Sequence, residues 1–132
     1  MAVIWRFRYF VPAVGKSDVK ATYDDGSAEK RSRFVSRLRI LSVLPIGEWH
    51  ETYRKVLHGP CDGLEEIRFK ADRVQQRPLG FCSGENEFTI LYWATERGGK
   101  FVPRSACSIA LDRKALVLAD RKLTDALWIA LE

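Results

Sequence analysis

Apolar and polar residues alternate near the start of the chain, where Arg6 and Arg8 separate Trp5, Phe7 and Tyr9. With its β-favouring composition, this pattern predicts a strand over Val3–Val11, ended by Pro12. Residues 13–28 are turn-rich and contain Asp24-Asp25-Gly26-Ser27; a short second strand is expected at Val19–Tyr23. The period then changes. Phe34, Val35, Leu38 and Leu41 recur at three- and four-residue spacing and mark one face of a helix. Ser27 is placed to cap that helix and Pro45 to stop it near Leu44. A second short helix is expected from Glu48 to Leu57, with Trp49, Tyr53, Val56 and Leu57 turned inward. Gly59-Pro60 and Gly63 close the helical pair.

Three β-type runs follow at Leu64–Ala71, Arg77–Cys82 and Phe88–Thr95. The last two are joined by the tight loop Ser83-Gly84-Glu85-Asn86, and Gly98-Gly99 interrupts the third. Pro103 suits the first turn of a helix over Arg104–Asp120. Leu123, Leu127, Ala130 and Leu131 share helical spacing in an extra C-terminal stretch. The order is strand, helical hairpin, three-stranded antiparallel meander, helix, which indicates an α+β fold. The 132 residues suit a single domain spanning 1–132.

Composition narrows the class. The chain is 46% hydrophobic and carries 15 Phe, Trp and Tyr residues, enough for a core that does not need disulfides. A net charge of +5 suits a nucleic acid, an anionic membrane surface or an acidic protein, or simply a solvated basic surface. Cys61, Cys82 and Cys107 are odd in number and form no Cys-x-x-Cys pair. Idle thiols in a reducing compartment are expected. Arg6 and Arg8 break the first apolar run, so no secretory leader is read there, and no run approaches a membrane span. A cytoplasmic protein is expected. His50-Glu51 lacks the second histidine of a zinc motif, because position 54 is Arg. Neither a metal nor a cofactor is expected.

The basic residues are grouped. Lys30, Arg31, Arg33, Arg37 and Arg39 crowd the first long helix, and no acidic residue follows before Glu48. Glu66, Arg68 and Lys70 are two apart on one strand and share a face. Arg77 begins the next strand, and Arg97 and Lys100 flank the meander's exit.

The segment Leu64-Glu65-Glu66-Ile67-Arg68, then Arg77, then Ile90-Leu91-Tyr92-Trp93, Arg97-Gly98, Lys100 and Pro103 resembles the RelE/HigB toxin superfamily, in particular its phage-derived branch. The likeness covers about residues 34–119. It departs from the family at Arg97-Gly98, which stands for a Lys-Lys pair, at Thr95, which stands for an aromatic, and at Trp93, which stands for a histidine. The resemblance implies a RelE-like fold and a type II toxin that cleaves mRNA without a metal, on the ribosome. It also implies a cognate antitoxin protein as partner.

Such cleavage uses the RNA 2′-hydroxyl as nucleophile and needs cations around the phosphorane. On that footing Arg68 and Arg77 would grip the scissile phosphate. Lys70, Lys100 and Arg97 would hold flanking phosphates, and Tyr92 or Glu66 would move a proton. Arg33 and Arg37 would meet RNA backbone from the helix. Two other readings stay open on the same fold. One is a non-catalytic prophage-derived binding module, with apolar Leu123–Leu131 as the interface to a partner or a homodimer. The other is a ParE-like gyrase inhibitor.

Overall fold

The computed structural model describes residues 2–132. One mixed sheet carries the chain, with helices on both faces. Strand β1 (Arg6–Phe10) is followed by helices α1 (Asp18–Asp24) and α2 (Ala28–Ser42). The short strands β2 (Arg54–Val56), β3 (Glu65–Ile67) and β4 (Phe69–Ala71) come next. The long strands β5 (Val74–Gly84) and β6 (Glu87–Arg97) then form the central hairpin. They are followed by β7 (Lys100–Val102), helix α3 (Ala106–Ala119) and a last strand β8 (Thr124–Ala126). The sheet order is β2-β3-β5-β6-β1-β8, with β4 also on β5 and β7 also on β6. Among the described residues only β1 against β6 is parallel; the other pairs are antiparallel. The α+β expectation therefore holds, and so does the meander.

Both sheet faces are buried, which is why β6 shows no clean alternation. Phe88, Ile90 and Trp93 join Trp5, Phe7, Tyr9 and Phe69 under Phe34, Leu38 and Leu41 of α2. Leu91 and Ala94 join Phe10, Leu64, Leu79 and Phe81 under Ala106, Cys107 and Ala110 of α3. The change of parity between Ile90 and Trp93 comes from a bulge, where the pairing jumps from Leu79↔Tyr92 to Gly80↔Ile90. At this bulge the backbones approach closely. A Cβ on Gly80 would sit 2.2 Å from the Thr89 carbonyl oxygen and 2.6 Å from the Phe88 ring. Gly80→Ala should therefore destabilise the fold by about 2–3 kcal/mol. An unchanged urea midpoint would show that the strands do not meet this closely.

Four local expectations are corrected. Val19–Tyr23 lies within α1 rather than in a strand. The Ser17 side chain accepts from the Lys20 amide, and Lys20 pairs with Asp24 at 2.8 Å. Val19 and Tyr23, one turn apart, both pack on the core. The helix expected at 48–57 is also absent, so the helical pair is α1 and α2. A 3-10 turn covers Ile46–Glu48, and Arg54–Val56 is extended against β3. Trp49 anchors this change by donating its indole N–H to the Leu41 and Leu44 carbonyls, 3.0 Å each. Pro103 precedes α3 rather than opening it.

The fourth correction concerns the C-terminus. Thr124–Ala126 pairs antiparallel with β1, and Leu127, Trp128, Ile129 and Leu131 pack on the chain's own core. They do not form a projecting helix.

The thiols are not all idle. Cys61 and Cys107 form a disulfide with Cα atoms 5.2 Å apart, tying the 3-10 turn Gly59–Cys61 to the first turn of α3. The bridge removes the argument from cysteine usage for a reducing compartment. Cys82 is free, and desolvation, then Glu65, pushes its thiol up to about 12, which makes it a poor nucleophile. Among the described residues, no helix is long and apolar enough to cross a membrane.

Candidate nucleic-acid interface

The strand that carries Arg68 is interrupted at that residue. β3 and β4 lie in one line along β5, in continuous register from Glu65↔Gly80 to Ala71↔Val74. The ladder opens between them, where β5 places Arg77 and Pro78. Pro78 has no amide hydrogen to give. On its other side Arg68 continues the β2–β3 ladder by one rung, its amide donating to the Tyr53 carbonyl at 2.8 Å. The turn before β2 is thereby drawn against the break, and α2 closes the third side.

The result is a cleft of about 450 Å³ lined by Arg33, Arg37, Thr52, Arg68, Phe69, Lys70, Gln75 and Arg77. Five of the eight are cationic, and none is a carboxylate. The residues come from α2, the turn after Trp49, the β3–β4 break and the β4–β5 hairpin. Sequence distance hides this grouping.

The cations are not equivalent. Arg33 and Lys70 are exposed. Arg68 is partly exposed; its Nη1 donates to the Glu51 carbonyl at 3.2 Å, and its Nε lies 3.8 Å from Glu66. Arg37 fastens α2 to the sheet edge. Its Nη1 donates to the carbonyls of Thr52 (3.1 Å) and Arg68, and its guanidinium lies 4.6 Å above the Tyr53 ring. Burial pushes the Arg37 guanidinium below its ordinary value, with Tyr53 pulling it back up.

Arg77 is only 3% exposed. Its Nε lies 2.7 Å from Glu66 and 3.3 Å from Glu96. Its other nitrogens donate to the Gln76 carbonyl and the Gln75 side chain. Arg77 therefore forms the back wall of the cleft, with its charge balanced by two carboxylates.

Glu66 lies behind this wall and is 3% exposed. Burial raises its carboxyl above the ordinary range, and Arg77 and then Arg68 oppose the shift. One oxygen, Oε2, makes ion-pair contact with Arg77 without an aligned hydrogen bond. Glu66 does not line the cleft and acts on it only by holding Arg77 and Arg68 in place.

The other named residues lie elsewhere. Tyr92 packs with the cluster beneath α3, 5.3 Å from the Arg113 guanidinium. Arg97 and Lys100 face each other across the Gly98-Gly99 turn, where both glycines have positive φ. Arg97 borders a separate depression with Asp72, Arg73 and Glu96. Thr52, Gln75 and Glu96 carry no sequence signal of their own. Gln75 was recoverable only through the β4–β5 register, which sets it opposite Lys70.

Among the described residues, no three His, Cys, Asp or Glu side chains are grouped to hold a metal ion. Comparison with protein-family models, with curated proteins and with solved structures gives no match.

Proposed function

We propose that the cleft binds the phosphate backbone of RNA and that the chain acts as a RelE/HigB-like toxin, an endoribonuclease directed at mRNA. The observation that carries this reading is the convergence of five cationic side chains on one cavity free of carboxylates. Such a cavity is a poor place for a neutral ligand and a good one for phosphates, which arginine can grip through two oxygens at once. The element order of strand, two helices, meander and helix agrees with a RelE-like fold.

In this reading Arg68 and Lys70 contact the scissile and flanking phosphates and stabilise charge on the phosphorane. Arg77 supports Arg68 from behind. Glu66, outside the lining, positions Arg68 and Arg77 through its ion pairs. A cognate antitoxin would compete for the same cleft.

A second reading draws on a different observation. Arg77 is neutralised, and Tyr92, Arg97 and Lys100 lie outside the cleft. These features favour a module that binds RNA or a partner without cleaving.

Growth after induced expression, with primer extension on a reporter mRNA, separates the two. Arrest with new mRNA ends is expected for the wild type. Arg68→Ala should reduce cleavage by about a hundredfold, and Lys70→Ala should weaken it less. Normal growth and intact mRNA with a soluble, folded protein would leave only the binding module.

A further inference from the structure

The cleft does not end at Arg37. A second cavity of about 320 Å³ continues it along α2, lined by Ser32, Arg33, Ser36, Arg37, Ile40, Phe69 and Lys70. Four residues, Arg33, Arg37, Phe69 and Lys70, border both cavities. The helix supplies its wall in a repeated form: Ser32-Arg33 is followed four residues later by Ser36-Arg37. One helical turn separates the two pairs, with Cβ atoms about 5–6 Å apart. Each pair offers a guanidinium and a hydroxyl on the same side of the helix. No carboxylate lines either cavity.

Of the four residues of the repeat only Arg37 has an evident use within the fold, its Nη1 being taken by the Thr52 and Arg68 carbonyls. Ser32, Arg33 and Ser36 are exposed, and among the described residues none of their side chains makes a hydrogen bond or ion pair within the chain. A lone phosphate would need one such pair. Two pairs one turn apart match two neighbouring phosphates of a single strand. Each cavity is the size of a small ligand pocket and too small for a duplex.

We propose that α2 holds two consecutive phosphates of one RNA strand, one beside Ser32-Arg33 and one beside Ser36-Arg37, and so leads the strand toward Arg68 and Lys70. This rests on the RNA reading of the cleft. It adds a direction of entry and a smallest ligand, an oligonucleotide rather than a nucleotide.

Fluorescence anisotropy with a labelled single-stranded RNA hexanucleotide, titrated over a range of salt, tests it. Each single-strand phosphate contact contributes roughly 0.7 to the slope of log affinity against log salt. Arg33→Ala should lower the slope by roughly that amount and weaken the hexanucleotide more than a dinucleotide. Arg39→Ala, on the same helix but outside both cavities, should leave the slope unchanged. Equal losses in the two variants would overturn the proposal, because the binding would then be diffuse. Affinity for polyglutamate without affinity for RNA would also overturn it, in favour of an acidic protein partner. Cleavage on induction that persists in Arg33→Ala, with an unchanged slope, would overturn the two-phosphate groove and leave the ribonuclease reading standing. The expected slope change without mRNA cleavage would do the reverse.

Discussion

Arg77→Ala should lower the stability of the fold by about 3–5 kcal/mol. The guanidinium is buried between Glu66 and Glu96 and also satisfies the Gln76 carbonyl. Removing it leaves Glu66, itself buried, without its closest cation. An uncompensated buried charge costs far more than the pair contributed.

The deficit has a pH dependence of known sign. Burial already raises the folded-state pKa of Glu66, and Arg77 is the largest influence opposing that rise. A carboxyl raised in the folded state favours folding at low pH, and that contribution is lost as pH climbs through the folded pKa. Without Arg77 the pKa rises further. The variant's deficit relative to wild type should be greatest near neutrality and shrink as the pH falls and Glu66 takes up its proton. Urea unfolding at several pH values measures both effects. A deficit that is small or independent of pH would show that Glu66 and Arg77 are not coupled. Glu66→Leu combined with Arg77→Met should recover most of the loss, as apolar replacements of buried pairs often do. For the functional test this matters directly. Loss of toxicity in Arg77→Ala would report unfolding as readily as chemistry, so Arg68 and Lys70 are the informative positions.

Cys61→Ser should cost about 4 kcal/mol, the chain-entropy value for a loop of this length. The bridge joins residues separated by 46 positions. It fixes the β2–β3 connection onto α3, where Lys114 also donates to the Gly63 carbonyl at 2.7 Å. Without it, the edge strand β2 is held by its pairing with β3 and by the Arg54–Glu65 ion pair at 3.2 Å. The melting temperature should fall by roughly 10–20 °C. Wild type should fall similarly in reductant, and Cys61→Ser should no longer respond to it. Equal melting of wild type and variant would show that the bridge contributes nothing. The cleft would feel its loss at Thr52 and Arg68, because the turn before β2 reaches the break in the sheet through Tyr53.

The central elements were legible in the sequence because their cues are local. Ser27 caps α2 by accepting from the Lys30 amide, and Phe34, Leu38 and Leu41 mark its inner face. The β5–β6 hairpin follows from two β-rich runs and a short turn at Glu85-Asn86. Arg33, Arg37, Arg68, Lys70 and Arg77 could each be singled out by type and position.

What the sequence by itself determined is an α+β chain with a basic helix ahead of a basic meander, and the identity of the five cationic residues that meet in the cleft. Only the tertiary structure decided how they meet. Residues 54–56 became a strand because β3 offered a free edge, against a helical spacing that was present but weaker than the pairing. Thr124–Ala126 became a strand because β1 had an open side. The register of β2 on β3 joined Arg68 to Tyr53, and two carboxylates on different strands claimed Arg77. Each outcome depends on partners distant in the chain, and local periodicity carries no information about a partner that arrives from elsewhere.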